Sequence, residues 1–323
     1  MKLKFTEVHY YEKGFSKYFQ KELVPLLKKV EKHRTDSLKK FIVTAIGCAI
    51  VNILIFVYFF SNFEDDETGC TILVMTLFGS GIMLYLIISG FKDIAKTKVN
   101  ELLVRFFGNF EYKNNYGIAK RNLDQVEFFL PEYDYVDYDD YIKGTYKDNL
   151  IEFCEAYLKE EYEDSDGDTQ TKTVFKGLFI IITLPRHFSG KTFVIKDKGV
   201  LLNFFKKFSS EYQKLTIQNK EFEIRYEVYT TNPDESQALL NNTLQNSIMK
   251  LAKNFGCSGL NCCFHSNKVF FAIPIRKNLF ESVSLFKPAY TEYQFKNFLR
   301  DFNLVLSLSD KMSEHFLNNN KYN

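Results

Sequence analysis

FIVTAIGCAIVNILIFVYFF, residues 41–60, and TILVMTLFGSGIMLYLIISGF, residues 71–91, decide how this chain of 323 residues is read. Neither run carries a charge, and each has the roughly 20 residues that a helix needs to cross a bilayer. Two buried core helices are the alternative. That account must explain two such runs separated by only residues 61–70, so the expectation is a transmembrane hairpin, with helices at 41–60 and 71–91 and a short external loop between them.

The flanks orient the hairpin. Lys28, Lys29, Lys32, Arg34, Lys39 and Lys40 precede the first run, and Lys92, Lys96 and Lys98 follow the second. The connecting loop holds Glu64, Asp65, Asp66 and Glu67 without any Lys or Arg. The positive-inside rule then places both termini in the cytoplasm, with the first span expected to be its own uncleaved insertion signal. Asn52 is the strongly polar residue of the first span, and in lipid it needs a partner. Thr76, Ser80 and Tyr85 on the second span are the candidates, which predicts an intramembrane helix contact at Asn52 and not an ion path.

With 42 Lys and Arg against 40 Asp and Glu, the chain has no overall field to attract nucleic acid, and nucleic acid is not expected as a partner. Its six cysteines lack disulfide-framework spacing and are expected to be reduced thiols.

Outside the spans, residues 1–40 are expected to form a cytoplasmic amphipathic helix leading into the membrane. Phe15, Tyr18, Phe19, Leu23, Leu26, Leu27 and Val30 share one face, which would lie either on the inner leaflet or against the cytoplasmic domain, and Pro25 should kink or restart the helix. Residues 92–130 read as a helical stalk and linker, with a second helix at 118–129; residues 131–312 read as a cytoplasmic α+β domain and 313–323 as a frayed tail. Within that domain, strands are expected at 133–146 with a turn at Lys143-Gly144, at 149–162, at 173–184 and at 191–195. A helix is expected at 200–212, and Phe222, Ile224, Tyr226 and Val228 alternate with charged residues as a half-buried strand does. Asn232 and Pro233 open one helix running to Gly256, with Glu235 closing a capping box. A hairpin turning at Ser266-Asn267 and a last helix over 291–308 complete the chain, so the fold class is α+β, mainly antiparallel sheet with packed helices.

Chemistry is harder to find. Asp164, Asp166 and Asp168 have calcium-loop spacing, but Thr169 stands where the glycine belongs and Phe175 where the bidentate Glu belongs. Cys257, Cys262, Cys263 and His265 match no common zinc pattern, and adjacent cysteines in a strand point to opposite faces. Gly190-Lys191-Thr192 ends like a phosphate loop, with Pro185 in the place of its first glycine. No metal or cofactor is expected, and no catalytic motif is present.

The segments Asp140-Tyr-Ile-Lys-Gly144 with Ile151-Glu-Phe-Cys-Glu155, Thr173-Val-Phe-Lys-Gly-Leu-Phe179, Glu221-Phe222 with Tyr226-Glu-Val-Tyr229, and Phe270-Phe-Ala-Ile273 with Leu279-Phe-Glu281 occur in an order that resembles a bacterial membrane family known as domain of unknown function 3137. The paired spans, with Glu31 and Arg34 just upstream, fit the same resemblance. It implies a two-pass bacterial inner-membrane protein with a cytoplasmic α+β domain, and it supplies no catalytic residues. Residues 230–240 depart from the family's usual acidic, Arg-containing version.

The expected function is a membrane-anchored protein-binding or scaffolding module, with the lipid bilayer and a protein as partners and a homo-oligomer left open. The alternative is a membrane-tethered enzyme or lipid-handling domain, in which Asp140, Glu152 and Glu155 would serve as general acid or base.

Overall fold

The computed structural model describes residues 3–62, 67–123, 125–126, 130–196 and 211–319. The helix expected at 200–212 lies almost wholly outside them, and of the one expected at 118–129 the described residues 118–123 and 125–126 form only a short α-helix, Lys120–Leu123. The chain divides into two compact units, Met1–Leu103 with Glu281–Phe298, and Val104–Phe280 with Leu299–Asn323.

The first unit is helical. A short helix α1 (Phe15–Tyr18) runs through a π-helical turn, Phe19–Leu23, into α2 (Val24–Asn62); α3 is Glu67–Arg105. The π turn is the local response to Pro25. A proline has no N–H for the carbonyl four residues back, and widening the preceding turn lets the helix continue. The expected kink is therefore a bulge in a nearly unbroken helix. Phe15, Phe19, Leu23 and Leu27 are buried, and Phe19 lies 4.8 Å from the ring of Tyr290 and 5.9 Å from that of Phe295. The amphipathic face thus packs on the protein itself. Further along, α2 and α3 are long and apolar enough to cross a membrane, and 6% and 0% of their most apolar windows are buried. A core helix would be covered by protein; these apolar faces are exposed, which favours association with a membrane.

The second unit is built on an antiparallel sheet, seven-stranded among the described residues: β1 (Asn109–Lys113), β2 (Tyr135–Tyr146), β3 (Asn149–Glu163), β4 (Thr169–Ile195), β5 (Gln213–Leu215), β6 (Glu227–Thr230) and β7 (Asn261–Pro274). Its order is β1-β2-β3-β4-β6-β5, with β7 also on β4. β4 pairs with β3 up to Thr183 and with β6 from Thr192, while β7 follows it from Gly177 to Val194. The two strands expected at 173–184 and 191–195 are one strand with irregular register between Thr183 and Thr192. Pro185, which cannot donate a ladder bond, falls in the first of those irregularities. The hairpin expected at Ser266-Asn267 is likewise one strand: Ser266 takes φ 55° and bends β7 without reversing it. The turn expected at Lys143-Gly144 lies later, at Lys147, with φ 52°.

Helices α4 (Lys120–Leu123), α5 (Lys220–Arg225), α6 (Pro233–Leu239), α7 (Asn242–Asn254) and α8 (Glu292–Asn319) complete the chain. Where alternation predicts a strand over 222–228, only Glu227 and Val228 join one, β6; before it α5 forms, because Asn219 caps it through Glu221 and Phe222 N–H and Arg225 pairs with Glu221 at 3.0 Å. The single helix expected from Asn232 to Gly256 is two. Leu240 leaves helical geometry, and Asn241 starts α7 by accepting from Leu244 N–H. The last helix outruns its expected end at 308, with Leu308, Met312 and Phe316 buried.

Both sheet faces are covered. On one, Ile118, Leu123 and Val126 pack with Cys154, Phe179, Phe193 and Cys263. On the other, Phe302 of α8 meets Phe107 at 4.2 Å, Phe110 at 5.0 Å and Phe153 at 5.7 Å. Burying one such ring contributes roughly 2–3 kcal/mol.

Candidate functional site

Asp140 is fully buried and adopts φ 54° where two residues of β2 oppose one of β3. Aspartate tolerates that left-handed geometry better than most residues do. Its carboxylate accepts from the Tyr112 hydroxyl at 2.7 Å. Glu152 accepts from the Tyr141 hydroxyl at 3.0 Å and lies 3.8 Å from the Lys143 ammonium. Burial, together with the Glu152 charge, pushes the Tyr141 hydroxyl well above its usual range. Glu155 accepts from the backbone N–H of Leu279. Each of the three carboxylates has a different partner, and none lines the cleft described next.

That cleft is open, has a volume of about 1120 Å³, and lies among Thr173–Lys176 of β4, the end of α7, the end of β7 and the third and fourth turns of α8. Lys176, Arg276, Lys277 and Arg300 line it, and Asp301 is the carboxylate among the lining residues. Asp301 is already engaged by Arg300 at 2.9 Å and Lys277 at 3.4 Å. The lining therefore carries an excess of positive charge. The adjoining strand is also open: β7 pairs with β4 only from Gly177, so among the described residues no strand flanks Thr169–Phe175 on that side. The Asn278 carboxamide oxygen, receiving Lys176 at 3.0 Å and the Tyr157 hydroxyl at 3.0 Å, fixes the loop beyond β7 beside this edge.

Residues 173–313 match the family model described as Protein of unknown function (DUF3137). This stretch belongs to that family. The DUF3137 stretch contains every residue that lines the cleft, whereas Asp140, Glu152 and Glu155 precede it. No curated protein matches the sequence. Among solved structures, the chain is similar to the crystal structure of the mycobacterial trehalose monomycolate transport factor A, TtfA, with a TM-score of 0.36 at 10% identity over 68% of this chain and 94% of that one.

The other motif-like groups have structural partners. Asp164 accepts from the N–H groups of Asp166 and Asp168 at 3.0 Å each, closing its own turn. Glu235, expected to cap its own helix, accepts instead from Ser189 and Gly190 N–H at 2.9 and 2.7 Å, which engages the phosphate-loop look-alike. Cys262 and Cys263 are both fully buried, and burial raises both thiols, so they stay protonated. In the hairpin, Asn52 donates to Ser80 Oγ at 3.1 Å and accepts from Thr76 at 2.8 Å. Tyr85, the third candidate, is exposed. Sequence spacing missed the cleft cations, because they come from three distant segments.

Proposed function

We propose that this protein is a membrane-anchored binding module that captures an extended acidic segment of a partner protein along the open edge of β4. The observation that carries the reading is the coincidence of an unflanked strand edge, Thr169–Phe175, with a cleft lined by Lys176, Arg276, Lys277 and Arg300. An open edge offers unpaired N–H and C=O groups to an added strand, and side chains beside it set specificity. Cations there favour carboxylates and raise the association rate. The hairpin crosses the bacterial inner membrane twice with both termini cytoplasmic. Lysines flanking the two runs and the acidic connection between them support that orientation.

A photocrosslinking residue at Thr173 in the full-length protein, in its own membranes, tests this. The expected result is an adduct with one protein, mapped to an extended acidic segment, lost in Arg276→Glu and kept in Arg225→Glu. An adduct indifferent to Arg276→Glu, or none at Thr173, would refute the reading.

A further inference from the structure

We infer that the tip of the loop Ser284–Pro288 is a third membrane contact, with Phe286 entering the interfacial layer of the bilayer and Lys287 lying against anionic headgroups. The inference rests on the reading that α2 crosses the membrane. Leu285 and Ala289 are buried, while Phe286, Lys287 and Pro288 between them are exposed, Phe286 to 57%. The loop is held on both sides by one ion pair of α2. Arg34 donates to the Leu285 carbonyl at 3.0 Å, Glu31 accepts from Ala289 N–H at 2.7 Å, and the two side chains bind each other at 2.6 and 2.9 Å. A loop fixed so firmly would ordinarily turn its aromatic ring inward.

The ring instead lies edge-on to Phe41, with centroids 5.2 Å apart. Phe41 opens the uncharged run of α2, seven residues and thus about 10 Å along the helix from Arg34. Phe286 therefore stands at the level where the apolar part of the helix begins. Lys39, Lys40 and Lys287 are exposed around the same level. An exposed aromatic ring with exposed lysines near it in the chain and before the span has the chemistry of the headgroup boundary, where rings bury against acyl chains and ammonium groups meet acidic lipid. Continuity with the span selects the bilayer as the occupant.

The sequence contains no Trp, so Phe286→Trp places a single indole in the full-length protein. It is reconstituted in vesicles of phosphatidylethanolamine and phosphatidylglycerol, with lipids brominated near the ester end of the acyl chain. Blue-shifted emission, quenched about twofold by those lipids and little by aqueous acrylamide, is expected. Ile50→Trp, in the middle of the first span, is measured alongside with lipids brominated near the chain end. Quenching at Ile50→Trp with a water-like spectrum at Phe286→Trp overturns this inference and leaves the spanning reading intact. Loss of lipid quenching at both positions overturns both. In the Phe286→Trp background, Lys287→Glu is expected to reduce quenching in anionic vesicles and not in zwitterionic ones; equal quenching in the two would overturn the headgroup contact.

Discussion

Replacing Arg34 with Met keeps most of the side chain's apolar length and removes its donors. Three hydrogen bonds disappear, two to Glu31 and one to the Leu285 carbonyl. The Arg34 side chain is 11% exposed, so the carbonyl bond counts as nearly buried, at about 1 kcal/mol. The Glu31 side chain is 40% exposed, which discounts the ion pair to about 0.5–1 kcal/mol. With the weakened grip of Glu31 on Ala289 N–H, the local cost comes to about 2 kcal/mol. If the loop opens as a unit, that cost lowers hydrogen-exchange protection of the Ala289 amide by about 30-fold. The assay is exchange mass spectrometry on peptides covering residues 284–291 of the full-length protein in nanodiscs, normalised to α7. Arg34→Lys, with its charge but no planar fork, should fall between. A change under about threefold, or an equal loss across α7, would refute the claim that this pair pins the loop.

Asn52→Leu removes the contacts to Thr76 and Ser80 within the hairpin, and reversible detergent unfolding should show a loss of about 0.6–1.7 kcal/mol; no loss would leave Asn52 without an energetic role. Gly177→Ala would put a Cβ 2.1 Å from the Ile273 carbonyl oxygen, across the β4–β7 ladder. Relief requires the strands to part, so a loss of about 3 kcal/mol or more, with lowered exchange protection in β7, is expected in chemical denaturation. His315 is buried and contacts the Leu239 carbonyl through Nε2 at 3.0 Å; burial chiefly, with the Arg186 charge, holds it below its ordinary 6.5. Its folded value is the lower one, so its contribution is complete above pH 6.5 and is lost as pH falls through the folded value. His315→Gln should flatten the stability profile over that window, and an unchanged slope would reject the assignment.

Much of the fold is legible in the sequence because its signals are local and long. Two uncharged runs of 20 and 21 residues leave few alternatives, and Thr173–Leu184 reads as a buried strand from its apolar run alone. Two of the misreadings arise where two local rules compete. Ser266-Asn267 has hairpin composition, yet β4 provides a continuous partner on which β7 can bend and continue. Phe222 to Val228 satisfies a two-residue period, but Phe222 and Tyr226 also stack at 4.8 Å across one helical turn, and the Asn219 cap decides between them.

Function is less legible, for a geometric reason. The acidic residues in the resemblance to domain of unknown function 3137 draw attention to Asp140, Glu152 and Glu155, but their partners are Tyr112, Tyr141 and the Leu279 amide. An acid inside a strand pattern is noticed for its charge, and its hydrogen-bond partner is decided by pairing register, which spacing does not encode. The cleft shows the converse. Lys176 and Arg300 are 124 positions apart and are brought to one surface by the pairing of β4 with β7 and the packing of α8. No window of sequence contains that surface. The same holds for Phe286, an ordinary loop aromatic until Glu31 and Arg34 fix its neighbours beside Phe41. In this chain the features that read easily from sequence set the two long apolar helices and the sheet, and the surfaces proposed to meet other molecules arise only where distant segments are clamped together.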